Sequence, residues 1–93
     1  MPKVNRKSPK ENHWHTICFD CEEWSDADKC RKWLKDNDFY SDGLHTTDKY
    51  YRFVQYDIED KEAYDLFWKT MSKDKGLYGI YAVYKKDDQE DAV

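Results

Sequence analysis

Two histidines and three cysteines, His13, His15, Cys18, Cys21 and Cys30, fall within eighteen residues near the start of a 93-residue chain. Each is a competent zinc ligand, and thiolates with imidazoles make the closed tetrahedral sites of structural zinc. The spacing fits that chemistry poorly. A structural site pairs one Cys-x-x-Cys knuckle with a second close pair, whereas Cys30 stands alone on the apolar stripe of a helix. Residues 18 and 21 would also point to opposite faces of a strand that ran through both. The expectation is no metal, no cofactor and three reduced thiols, since an odd cysteine count does not imply a disulfide framework. Catalysis finds no better footing. Carboxylates are abundant but scattered over helix starts and exposed faces, and no Ser/His/Asp set, Cys/His pair or Gly-rich phosphate loop occurs at useful spacing. His45, in a loop, is the one isolated histidine, and solvation explains it. The chain reads as non-enzymatic.

Rings are the other chemistry on offer. Lys49-Tyr-Tyr-Arg-Phe-Val-Gln-Tyr56 matches the RNP1 signature of RNA-recognition domains at six of eight positions, which would make Tyr51 and Phe53 base-stacking residues. Tyr50 and Arg52 stand where the signature has two small residues that let RNA approach. The charge opposes this use as well. The net charge is −4, and it divides unevenly. Residues 1–12 carry Lys3, Arg6, Lys7 and Lys10 against Glu11, a net of +3. Residues 85–93 carry Lys85 and Lys86 against Asp87, Asp88, Glu90 and Asp91, a net of −2, which leaves −5 for the middle. An acidic body repels the phosphates that supply most nucleic-acid affinity. Yet 17% of the residues are aromatic, and Tyr50, Tyr56, Tyr64, Trp68, Tyr78, Tyr81 and Tyr84 cannot all be interior in a chain this short. Tyr and Trp are enriched where proteins bind proteins. The candidate binding residues are therefore Tyr50, Tyr51, Phe53, Tyr56, Tyr78 and Tyr81.

These side chains need elements to hold them. His13 to Asp20 reads as a strand with His15, Ile17 and Phe19 on one face and Trp14, Thr16 and Cys18 on the other. Ser25-Asp-Ala-Asp28 starts a helix, with Ser25 as cap and Trp24 stapling the entry, and Ala27, Cys30, Trp33 and Leu34 make its apolar stripe to about Asp36. Asp42-Gly43 marks a turn before a short strand near Leu44 to Thr47, and Lys49 to Tyr56 is the strongest strand signal. Asp57 to Asp60 offers a second helix start, followed by Ala63, Leu66, Phe67 and Met71 at helical spacing, with Gly76 as the stop. Leu77 to Tyr84 is a closing apolar strand. This order predicts an α+β domain, a two-layer ferredoxin-like βαββαβ fold whose antiparallel sheet carries both helices on one face. The other face stays open to bind. The expected organisation is a basic flexible arm at 1–12, a single α/β domain at 13–86 and an acidic tail at 87–93. No stretch approaches the roughly 18 apolar residues of a membrane span, and the N-terminus lacks the apolar run of a signal peptide, so a cytoplasmic location is expected.

Ile17-Cys-Phe19, Trp24, Ala27, Lys32-Trp-Leu-Lys35, Thr47, Tyr50-Tyr-Arg-Phe-Val-Gln55 and Gly79-Ile80 together form a pattern. It resembles a small domain of bacteriophage and large-virus genomes, in which a capped helix ending in Trp-Leu-Lys precedes a Tyr-Arg-Phe-x-Gln strand. The resemblance implies a viral origin and brings no activity with it. The leading expectation is a small protein-binding module, phage-encoded and acting on a host protein such as a nucleic-acid-handling defence complex, whose basic surface an acidic body would suit. Single-stranded nucleic-acid binding through an aromatic sheet face is one alternative. A self-assembling virion or scaffold component, with homodimerisation through that face, is another.

Overall fold

The computed structural model describes residues 4, 6–58 and 60–85. Along the chain it contains β1 (His13–Asp20), α1 (Ala27–Asp36), β2 (Leu44–Thr46), β3 (Tyr50–Val54), β4 (Tyr64–Ser72) and β5 (Leu77–Tyr84). The strands form one sheet in the order β2-β3-β1-β5-β4, every neighbouring pair antiparallel. β1 lies at the centre, and its Ile17, Cys18 and Phe19 are fully buried.

Alternation along the strands sorts side chains onto two faces. Ile17 stands opposite Phe53 and Gly79, and Phe19 opposite Tyr51 and Leu77, so these six share a face. α1 covers it with Cys30 and Leu34, closing a core of Ile17, Phe19, Cys30, Leu34, Phe53 and Leu77. Phe19 is the hub, meeting Trp24, Trp33 and Phe53 edge-on at 4.9, 5.8 and 5.6 Å. Such ring pairs add on the order of 0.5–1.5 kcal/mol each beyond burial, which is how a chain poor in aliphatics holds a core. The helix that supplies the lid is short but well terminated. Asp26 rather than Ser25 is its cap, accepting the Asp28 N–H at 2.7 Å. Lys32 pairs with Asp36 one turn on, and Asn37 returns its side-chain amide to the Trp33 carbonyl. Asp38, at φ 64°, turns the chain away.

The second helix and the ferredoxin-like layout are not there. Asp60 does cap, accepting the Glu62 N–H at 3.1 Å, but it starts a single 3-10 turn at Lys61–Ala63. The chain then runs as β4, paired with β5 from Tyr64↔Tyr84 to Ser72↔Leu77. The helical spacing of Ala63, Leu66, Phe67 and Met71 coexists with a period of two: Tyr64, Leu66, Trp68 and Thr70 share one face, Asp65, Phe67 and Lys69 the other. Rings and Thr70 favour extended backbone, and β5 needs a hydrogen-bonding neighbour on its outer side. Pairing won over periodicity. With α1 the one α-helix among the described residues, the helix-side face is left bare at its β4 end, where Phe67 is 50% exposed.

One irregularity in β1 changes what the sequence suggests. The register shifts between Trp14 and Thr16, so Trp14 lies opposite Tyr81 on the helix side while His15 joins Thr16 on the open side. Trp14 packs on Tyr81 at 5.0 Å and lies over Gly79, where a Cβ would come within 2.8 Å of the indole.

Residues ahead of β1 run along the body. Lys7 and Asp57 form a parallel bridge, Ser8 N–H donates to the Asp57 carbonyl and Asp57 N–H to the Arg6 carbonyl. Arg6 donates to the Gln55 carbonyl and to both carboxylate oxygens of Asp42, with its guanidinium 3.6 Å from the Tyr40 ring centre. Val4 is 6% exposed, against Gly43. The tail at 87–93 lies outside the described residues.

Candidate protein interface on the open sheet face

Opposite α1, the sheet presents Tyr50, Arg52 and Val54 from β3, Thr16, Cys18 and Asp20 from β1, Tyr78, Ile80 and Ala82 from β5, and Leu66, Trp68 and Thr70 from β4. The central β1 row consists of small side chains, so rings from the flanking strands lean over it. Trp68 stacks on Tyr78 at 5.6 Å and 18° between planes. Tyr50 reaches across β1 to meet Trp68 at 5.4 Å and Tyr78 at 6.0 Å. Among the described residues no helix covers these rings, and Trp68 is 51% exposed. Beside Tyr50 the β1–α1 and β2–β3 connections close a depression of about 260 Å³ whose charged walls are Asp20, Glu22, Asp48 and Lys49. Partial burial, the neighbouring Tyr78 hydroxyl and Asp20 push the Tyr50 phenol up from its ordinary value. The triad is therefore an apolar platform with a net-negative rim.

The opposite end of the same face is chemically different. His15, His45 and Arg52 stand around a cleft of about 230 Å³ floored by Val54, Leu66 and Ile80. Strand pairing sets His45 and Cys18 on either side of Arg52. His15 shares a hydrogen bond of 2.8 Å with the Thr16 hydroxyl, and its pKa is lowered, first by burial and then by His13 and Arg52. Burial pushes the Cys18 thiol up, an effect that Arg52 moderates. Among the described residues no carboxylate forms an ion pair with Arg52.

The six candidate residues do not make one surface. Tyr50 and Tyr78 meet in the triad. Tyr51 and Phe53 face α1, with Phe53 fully buried and Tyr51 packed on the core, so neither is placed to stack a base. Tyr81 lies on the helix side between Trp14 and the Lys69 ammonium, which is 4.6 Å from its ring centre. Tyr56 belongs to another group, edge-on to His13 at 5.1 Å and to Tyr40 at 5.8 Å. There His13 also meets Tyr64, whose hydroxyl donates to the Pro9 carbonyl at 2.8 Å. The metal candidates are dispersed as well. Cys18 faces Arg52 and Cys30 faces the core, its thiol pushed up to about 12 chiefly by burial. Among the described residues no three His, Cys, Asp or Glu side chains are grouped to hold a metal ion.

Sequence reasoning missed Leu66, Phe67, Arg52 and His15 as surface features, and it left Trp68 out of the site. The period of two in residues 64–70 was the available signal for the β4 residues. Nothing in the composition signals the register shift that turns His15 to the open side. Among the described residues no helix is long and apolar enough to cross a membrane. Comparison of the chain with family models, with curated proteins and with solved structures gave no match.

Proposed function

We propose that this chain is a small non-enzymatic protein-binding module that docks a basic partner on the open sheet face. The carrying observation is the uncovered triad of Tyr50, Trp68 and Tyr78 beside Asp20, Glu22 and Asp48. Aromatic platforms next to carboxylates suit an Arg or Lys side chain, whose stem lies on the rings while its charge meets both the ring faces and the acids. The net charge of −4 supports faster encounter with such a partner. The likeness to a phage domain supports a host protein as that partner, with a nucleic-acid-handling complex as the target class. The test is affinity capture of one defined partner followed by titration with variants. Tyr78→Ala and the triple change Asp20→Asn, Glu22→Gln, Asp48→Asn should each weaken binding at least about tenfold, above the ~1 kcal/mol that marks the energetically significant minority of interface residues. Undiminished binding by both would refute the site.

A second reading, a self-assembling component, is favoured by a different observation. Among the described residues no strand lies on the outer side of β4, and Leu66, Phe67 and Trp68 along it are each about half exposed. The single-strand nucleic-acid reading is weakened, because Tyr51 and Phe53 lie under α1.

A further inference from the structure

The two edges of the sheet differ. β2 ends one side with three residues, the short form in which natural edges avoid joining other chains. β4 ends the other with nine, and from Tyr64 to Thr70 it keeps unbroken register with β5 before the shift between Thr70 and Ser72. A regular edge with three consecutive exposed apolar side chains is a template for another strand.

Its own sequence fits it. The regular segment 64–70 is centred on Phe67. An antiparallel partner related by a two-fold axis through Phe67, perpendicular to the sheet, sets Phe67 against Phe67, Leu66 against Trp68, Asp65 against Lys69 and Tyr64 against Thr70. Facing residues then have the same parity, so both helices stay on one side of the joined sheet, as side-chain alternation requires. The Asp65–Lys69 contact occurs twice by symmetry. Moving the axis to Leu66 sets Asp65 against Phe67, and moving it to Trp68 sets Lys69 against Phe67 and sends Asp65 beyond the register shift. Centring on Phe67 alone pairs both charges and uses the whole regular segment. Within the chain these two charges have weak partners: Asp65 lies 3.7 Å from the Lys85 ammonium, both half exposed, and Lys69 rests on the Tyr81 ring.

We infer that two copies of this chain pair antiparallel through β4, with Phe67 on the two-fold axis and Asp65 of each copy opposite Lys69 of the other. This rests on the self-assembly reading above and names its seam. The joined sheet brings the Trp68 of one copy beside the Leu66 of the other, so the two aromatic triads become parts of one continuous open face. Docking of a basic partner and self-pairing therefore use adjoining surfaces, and each can fail without the other.

The test is sedimentation equilibrium on the full chain and on Asp65→Lys, Lys69→Asp and the double exchange, with circular dichroism to confirm that each is folded. The native chain should dimerise below about 100 µM. Each single change opposes like charges at two places and should raise the dissociation constant at least about tenfold, and the double exchange should restore it to within a few-fold. A native chain that stays monomeric at about 100 µM overturns the proposal. So does a dimer indifferent to the single changes, or one that the double exchange fails to rescue. Independently, in a Cys21→Ser background, Phe67→Cys should oxidise to a covalent dimer while Asp65→Cys should not, because only residue 67 meets itself. Tyr78→Ala should leave the dimer intact, which separates failure of this seam from failure of the partner-docking site.

Discussion

Gln55 ties together three segments that are distant in the chain. Its side chain is 1% exposed, accepts the Tyr40 N–H at 2.8 Å and donates to the Tyr40 carbonyl at 2.9 Å, so it serves that backbone as a neighbouring strand would. Its own N–H donates to the His15 carbonyl, and its carbonyl accepts from Arg6. Replacing Gln55 by Leu keeps the volume and removes two hydrogen bonds from the part-buried Tyr40 amide and carbonyl, each contributing about 0.5–1.5 kcal/mol. Urea unfolding of Gln55→Leu should thus show a loss of roughly 1–3 kcal/mol with an unchanged slope. His15 makes a second prediction at this scale. Its folded pKa is lowered, so on acidification the unfolded chain takes up a proton at this ring before the folded chain does. Stability must therefore fall as pH drops from about 6.5, the ordinary histidine value, toward the lower folded value. His15→Gln should flatten that part of the pH dependence of the urea midpoint, and an unchanged profile would show that the ring titrates equally in both states. Neither role is visible in sequence. Gln55 stands in the strand motif without sign of its partner, and His15 owes its position to one register shift.

At the scale of elements, Gly79 shows how closely Trp14 is held. A Cβ there would lie 2.7 Å from the Thr16 carbonyl oxygen and 2.8 Å from two carbons of the Trp14 ring. Backbone cannot yield as a flexible side chain can, so Gly79→Ala should cost about 1–3 kcal/mol through overpacking, despite the better strand propensity of Ala. Near-ultraviolet dichroism of the tryptophans should change with it. A melting temperature equal to the native one would mean that the indole moves aside freely. Strand signals were well read where ring-rich, β-branched runs have one meaning. The bounds of β1 and β5 agree with the expectation residue for residue, and the cap of α1 falls one residue later than expected, at Asp26. The failure at 57–71 has a physical cause. Ala63, Leu66, Phe67 and Met71 fit a helix, the alternating rings fit a strand, and local pattern does not contain the deciding fact that β5 needs a neighbour on its outer side. That the seven surplus rings cannot all be interior is legible in the sequence, but Trp68 alone of them is exposed, Tyr64 is buried and the other five are half-buried. Their division between the triad, the Trp14–Tyr81 pair and the His13–Tyr56 group depended on the register.

For the molecule as a whole, the question is how a five-stranded sheet stays stable with one face open when α1 is the one α-helix among the described residues. Part of the answer lies in the basic segment ahead of β1, which the sequence presents as a charged arm because Lys and Arg dominate its composition. Composition does not show that Val4 fills the space beside Gly43, where φ is +71° and an added Cβ would collide, or that Arg6 lies on Tyr40. Burying a valine contributes about 1.5–3 kcal/mol, and the backbone bonds of Arg6 and Ser8 to Asp57, with the Arg6 side-chain bond to the Gln55 carbonyl, add to that. Removing residues 1–8 should accordingly destabilise the chain by at least about 2 kcal/mol at neutral pH, measured by urea unfolding. A free arm would leave the midpoint unchanged. Acid supplies a signature that lost packing alone does not. The hydrogen bond and charge of Arg6 hold the Asp42 carboxyl below its usual range, so that contribution is complete above the ordinary carboxylate pKa and disappears as pH falls through the lowered folded value. The gap between full-length and truncated chains should therefore narrow below about pH 4, and in an Asp42→Asn background it should lose that narrowing while keeping the part due to Val4.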